Sequence, residues 1–227
     1  MIKSGIDQEA LIAMLSGASA RQGEMVRTSV RDLTLKALQG RELTLQNIRK
    51  VLSTVTAAAS AGAMKNSAPA MDVEALLEKT LAGMDDALLK AVEANRTALQ
   101  QFVDQGVNLQ ESQLKKALAD LERFEDALFS SVTRSSADAG DRAQALWQPV
   151  LDAMKMKGTA TGATADATAQ QLMGQMQTAM RASRAAGLRA ANAMAQNYAA
   201  LVSGVLIGMS EALKTSAAGA KKGGSKG

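Results

Sequence analysis

The groups in this chain that can meet charge are few and unevenly placed. Arg181 and Arg184 lie three residues apart on one helix face, and Lys221, Lys222 and Lys226 cluster near the C-terminus. Cations so placed can contact phosphate or lipid headgroups through a salt-sensitive, sequence-independent attraction. The plainer reading pairs the arginines with acids on a neighbouring helix and makes the lysines a solubilising tail. The adjacent acids Asp85 and Asp86 diverge by about 100° on a helix, so they do not form an acid–base pair and read as a solvated face. His and Cys are both absent. Their absence removes disulfides, thiolate chemistry, the usual zinc sites and His-based acid–base catalysis together. No P-loop, dinucleotide fingerprint or metal-ligand spacing is present. We therefore expect no catalytic residue, cofactor, metal or small-molecule substrate, and no enzyme activity.

A different chemistry, contact between apolar surfaces, is suggested by the run from Tyr198 to Met209. Ala200, Gly204, Gly208 and Ala212 recur every fourth position and form one smooth stripe on a helix. Leu201, Val205 and Met209 border it, so the segment is apolar nearly all round and must be buried against something. These seven positions are the candidate contact surface. Gly-x-x-x-Gly at 204–208 is a packing motif best known from membrane helices, yet it is common in Ala- and Gly-rich helices, and ordinary helix packing is the favoured reading. The run covers only twelve residues, against about 20 needed to span a bilayer.

These residues must be carried on helices. The 227-residue chain is 47% apolar but only 2% aromatic, and Ala supplies much of the apolar share. Ala is the best helix former and buries little area per residue. Prolines occur only at 69 and 149. The expected fold is all-α: an elongated antiparallel helical bundle or coiled coil with a disordered C-terminal tail. Five segments follow.

Residues 1–64 form an N-terminal helical arm, with Gly40 a point where it breaks or loosens. Residues 71–135 form long coiled-coil-like helices. Their seam, Leu77, Leu81, Met84, Leu88, Ala91, Asn95, Ala98, advances in steps of three and four. Asn95 on that seam either fixes register or is solvated. Asp72 reads as an N-cap, with Met71 and Leu76 as a hydrophobic staple. Near Gly106 the chain either reverses or carries a stutter within one helix, and 133–140 reads as a turn. Residues 137–157 form a short helix kinked or restarted at Pro149, with Trp147 as its packing anchor. A low-complexity linker covers 157–164. Residues 164–213 form a final helix rich in Met and small residues, capped by Thr164 or Asp166, and 214–227 is a disordered Lys tail.

The net charge is +4 and the isoelectric point about 9.4. The last fourteen residues hold four lysines and no acid, so the rest of the chain is neutral. Absent Cys suits a reducing cytoplasm, and no apolar stretch of secretory type follows Met1-Ile-Lys3. We expect a cytoplasmic protein that can associate with granules or membranes.

Several features together resemble the phasins, the helical coat proteins of bacterial polyhydroxyalkanoate granules. They are the Ala-rich, His- and Cys-free body, the long leucine and alanine seams, the amphipathic helices without a spanning segment, and the tail Ala217-Ala-Gly-Ala-Lys-Lys-Gly-Gly-Ser-Lys226. The resemblance implies a non-enzymatic, homo-oligomeric coat or scaffold that binds an apolar granule or membrane surface. Some such proteins carry longer Ala/Lys/Pro tails that contact DNA, and this tail lacks the Pro-containing units. No functional residue is carried over from the family. Two other functions stay open: a soluble coiled-coil adaptor or assembly protein, and a nucleoid-associated factor making weak, non-specific DNA contact through the tail.

Overall fold

The structure is a computed structural model that describes residues 6–39, 42–104, 111–183, 202, 205–207 and 209, with the backbone alone for 102–104, 111–115 and 176–183. Among the described residues the chain is an all-α bundle of seven long helices without strands. They are α1 (Gln8–Gly17), α2 (Gly23–Gln39), α3 (Leu45–Lys65), α4 (Ala70–Asp104), α5 (Glu111–Asp138), α6 (Asp141–Lys157) and α7 (Ala160–Ser183), with a 3-10 turn, Ala20–Gln22, before α2. The arm expected over 1–64 is thus three helices. Asp7 caps α1 by accepting from Ala10 N, and Thr44 caps α3 by accepting from Asn47 N.

Two parallel pairs set the arrangement. Ile12 and Leu15 of α1 lie against Gly62 of α3. Asn66, just past α3, donates to the carbonyls of Leu15 and Ala18 at 2.7 and 2.9 Å. On α2, Glu24 pairs with Lys79 and Arg27 with Asp86, so residue numbers rise together and α2 runs parallel to α4. Between α3 and α4 the short Asn66–Pro69 link forces a reversal, and the Thr56 hydroxyl of α3, which donates to the Leu52 carbonyl, lies 4.0 Å from the Met84 sulfur on α4.

The seam on α4 is buried as its spacing requires: Leu77, Leu81, Met84, Leu88, Ala91 and Ala98 are all inaccessible to solvent. Its partners lie within the same chain. Asn95 is also buried, and its amide donates to the Ala91 carbonyl at 2.9 Å, so it is not solvated. Asp85 of α4 and Glu125 of α5 both bond the start of α7. On one continuous helix forty residues would separate them by about 60 Å. The chain therefore reverses between α4 and α5 and does not stutter.

Several local expectations are corrected. Helix α4 begins at Ala70, two residues before Asp72, because Pro69 O already accepts from the Asp72 and Val73 amides. Met71 is 79% exposed and makes no staple, although Leu76 is buried. Helix α5 runs through the 133–138 stretch, and the break is only Ala139 and Gly140, the latter at φ +101°. Pro149 sits inside α6 without ending it. Trp147 is fully buried there and donates from Nε1 to Ser60 Oγ at 2.9 Å, tying α6 to α3. The linker expected over 157–164 is two residues, Gly158 and Thr159, and neither Thr164 nor Asp166 caps the helix that follows.

Candidate functional site

The densest polar cluster among the described residues is where α7 begins. A helix start leaves four amides without intrahelical partners, and here each has one. Asp85 accepts from Ala160 N at 2.9 Å and from Thr161 N at 3.1 Å. Thr159 Oγ1 accepts from Gly162 N at 2.9 Å, the fourth amide is that of Thr159 itself, and Ala163 N makes the first intrahelical bond, to Thr159 O. Glu125 then holds Thr159 itself, accepting from its amide at 3.2 Å and its hydroxyl at 2.7 Å. The Thr161 hydroxyl donates to the Asp85 carbonyl at 3.0 Å. Carboxylates suit the positive end of a helix dipole. Gly162 makes the approach feasible, since a Cβ there would stand 2.5–2.8 Å from the Glu125 carboxylate.

Asp85 is 5% exposed. Burial raises its carboxyl above the ordinary Asp value, and the hydrogen bonds from Thr161 and Ala160 counter that only in part. The cluster supports anchoring rather than catalysis, because both carboxylates are occupied by the chain's own donors. Asp85 therefore does not lie on the solvated face that its pairing with Asp86 suggests. A signal was present: Asp85 lies four residues after Leu81 and three before Leu88, on the seam side of α4. Its partners stand some seventy-five residues away, which no local pattern reveals.

Asp86, the neighbouring acid, faces a shallow cleft of about 310 Å³ between α2 and α4, lined by Glu24, Arg27, Thr28, Arg31, Leu89 and Lys90 as well. Arg27 donates from Nε and Nη2 to Asp86 at 2.7 and 2.9 Å. Arg31 pairs with Asp32, and Lys90 with Glu93. Each cation of the cleft is thus committed to a carboxylate. Lys79, beside it, holds the exposed Glu24 carboxyl below the ordinary Glu value. No group of three or more acidic side chains placed to hold a metal occurs among the described residues.

The positions singled out in the sequence are placed only in part. Val205 and Met209 are half-buried and pack against the core, with Val202 and Leu206 fully inside it. Gln39 at the end of α2 donates to the Leu206 carbonyl at 3.4 Å. Ala200, Leu201, Gly204, Gly208, Ala212, Arg184, Lys221, Lys222 and Lys226 lie outside the described residues. Arg181 lies within α7.

What the sequence reading missed is a set of exposed methionines: Met25, Met71, Met156 and Met173, joined by Ile207. Three of them occupy one end of the bundle. The start of α2 meets α4 through Glu24 and Lys79, and the end of α6 meets α4 through Lys157 and Glu78, 3.7 Å apart. Met25 and Met156 adjoin those pairs, and Met71 lies about 12 Å further along α4. No helix of the described residues is long and apolar enough to cross a membrane.

Residues 1–215 match the model of DUF6781, a family of unknown function. No curated protein and no solved structure matches the chain.

Proposed function

This chain belongs to the DUF6781 family, and we propose that it is a non-enzymatic helical coat or scaffold protein that binds an apolar granule, such as polyhydroxyalkanoate, or a membrane surface. The observation that carries this reading is the methionine set. Large apolar side chains of this bundle are otherwise mostly turned inward, while Met71 and Met156 are 79% and 85% exposed. A flexible thioether side chain adapts to an irregular apolar partner better than a branched one. An apolar surface would be met first by the end bearing Met25, Met71 and Met156, without unfolding of the core. The test is flotation of the full-length protein with polyhydroxybutyrate particles and with phosphatidylcholine/phosphatidylglycerol vesicles. The wild type floats with at least one of them, and a Met25→Gln/Met71→Gln/Met156→Gln variant floats markedly less. Wild-type protein that stays wholly in the soluble fraction sinks the idea.

A second reading is favoured by Val202 and Leu206, each 1% exposed within the common core. A soluble helical adaptor or assembly protein would use the 198–213 segment for its own packing in this way. It predicts an oligomer or complex that forms equally well without any surface.

A further inference from the structure

We propose that α7 is a strap that opens independently of the bundle, lifting from α4 and α5 when the Asp85 and Glu125 clamp releases and thereby uncovering the α4–α5 face for the apolar surface. The surface in that statement rests on the coat reading; the opening does not.

Over its described side chains, residues 160–175, the inward side of α7 is thin. It consists there of Thr161, Gly162, Ala165, Thr168, Ala169 and Leu172, all buried, with a single large side chain among them. Helix α5, by contrast, buries Leu118, Leu121, Phe124, Leu128 and Val132. Burial scales with apolar area, so residues 160–175 of α7 gain less from docking than α5 does. Five hydrogen bonds to Asp85 and Glu125 fasten the start of this stretch. Further along, the Gln175 side-chain oxygen is buried without a partner, which costs free energy in the docked state and is relieved by lifting. Burial also disfavours the charged form of Asp85, and opening restores its hydration.

The covalent geometry permits the motion. Gly158, at φ +74°, has nothing within 4 Å of a built Cβ, and only Thr159 separates it from α7. Beyond α7, Val202 and Leu206 hold the chain to the core a second time. A stretch clamped at its start and backed by few large side chains, as residues 160–175 are, opens locally before the whole unfolds.

The test is hydrogen exchange of the full-length protein at neutral pH, followed by mass spectrometry, in the wild type, Asp85→Ala and Gly162→Leu. Asp85→Ala strips the acceptors from two amides, and Gly162→Leu drives a side chain into the Glu125 carboxylate. Residues 160–175 are expected to exchange roughly tenfold faster in both variants while α2 and α3 keep their wild-type rates. Acceleration of α2, α3 and α7 together reveals general unfolding and overturns the proposal, as does an unchanged α7. Flotation with the same particles and vesicles forms the second arm, in which both variants bind more than the wild type. Variants that open yet bind no more than the wild type overturn the gating role. If no form binds any surface while α7 still opens alone, the coat reading falls and the independent strap stands.

Discussion

Replacing Gly83 with Ala separates two opposed effects whose sizes differ. Gly83 lies inside α4, where Ala is favoured over Gly by about 0.5–1 kcal/mol. Against that stands the crossing with α2. A Cβ built on Gly83 falls 2.5 Å from the Arg27 carbonyl oxygen, and 3.1 Å from both Arg31 N and Val30 Cβ. Non-bonded atoms rest at about 3.5 Å, so α2 must withdraw by roughly 0.5–1 Å, and a gap of that size forfeits a quarter to a half of the dispersion attraction across it. The obstacle is helix backbone and cannot rotate aside. Val26 and Val30, both fully buried on α2, move with it. Overpacking of this kind costs about 1–3 kcal/mol. The net expectation is a loss of about 1–2 kcal/mol, a fall in Tm of roughly 2–8 °C for a chain of this size. Thermal and urea unfolding followed by circular dichroism measure it. Gly174→Ala is the matched control: its Cβ meets nothing within 4 Å, so it should gain about 0.5–1 kcal/mol. A Gly83→Ala protein as stable as the wild type, alongside a stabilised Gly174→Ala, would refute the close crossing of α2 and α4.

Three further outcomes are expected. Ser60→Ala leaves the Trp147 indole N–H buried without its acceptor and should cost about 1–3 kcal/mol; urea denaturation matching the wild type contradicts the bond. Asp85 has a folded-state pKa raised above its unfolded value. Its contribution to stability is therefore fully present below the unfolded pKa and lost as pH rises through the folded one. The stability of wild type minus Asp85→Asn should accordingly decline with rising pH across that window, and a flat or rising difference refutes the assignment. For the DNA-binding alternative, deletion of 214–227 should abolish retention on DNA cellulose at low salt; retention that survives the deletion rules out the tail as its cause.

The helical class and the α4 seam were legible because both rest on local period: Leu77 through Ala98 repeat in steps of three and four, and that face is the one buried. Trp147 was legible as an anchor because a lone large aromatic in an Ala-rich chain has no other comparable burial to offer. The reversal between α4 and α5 was not, since a break in phase is compatible with a stutter or a turn until long-range contacts decide. Nor was the start of α7. Thr159 is one of several Thr residues in a low-complexity stretch, and what selects it is Glu125 and Asp85, brought from other helices. Met71 failed as a staple for a related reason: the entry of α4 is fixed by Pro69 and by Asn66 Oδ1, which accepts from Ala68 N at 2.8 Å. Local spacing identifies which side of a helix is apolar. It says little about polar contacts whose partners come from afar.

The parallel run of α2 beside α4 has a kinetic consequence. Thr56 and Met84 meet across 28 residues of a simple hairpin, whereas Arg27 and Asp86 meet across 59, with the whole of α3 between them. Closing the longer loop costs more chain entropy. On loop-closure grounds the α2–α4 crossing should form late. A change at Gly83 should then act chiefly on the rate of unfolding and leave the rate of folding nearly untouched.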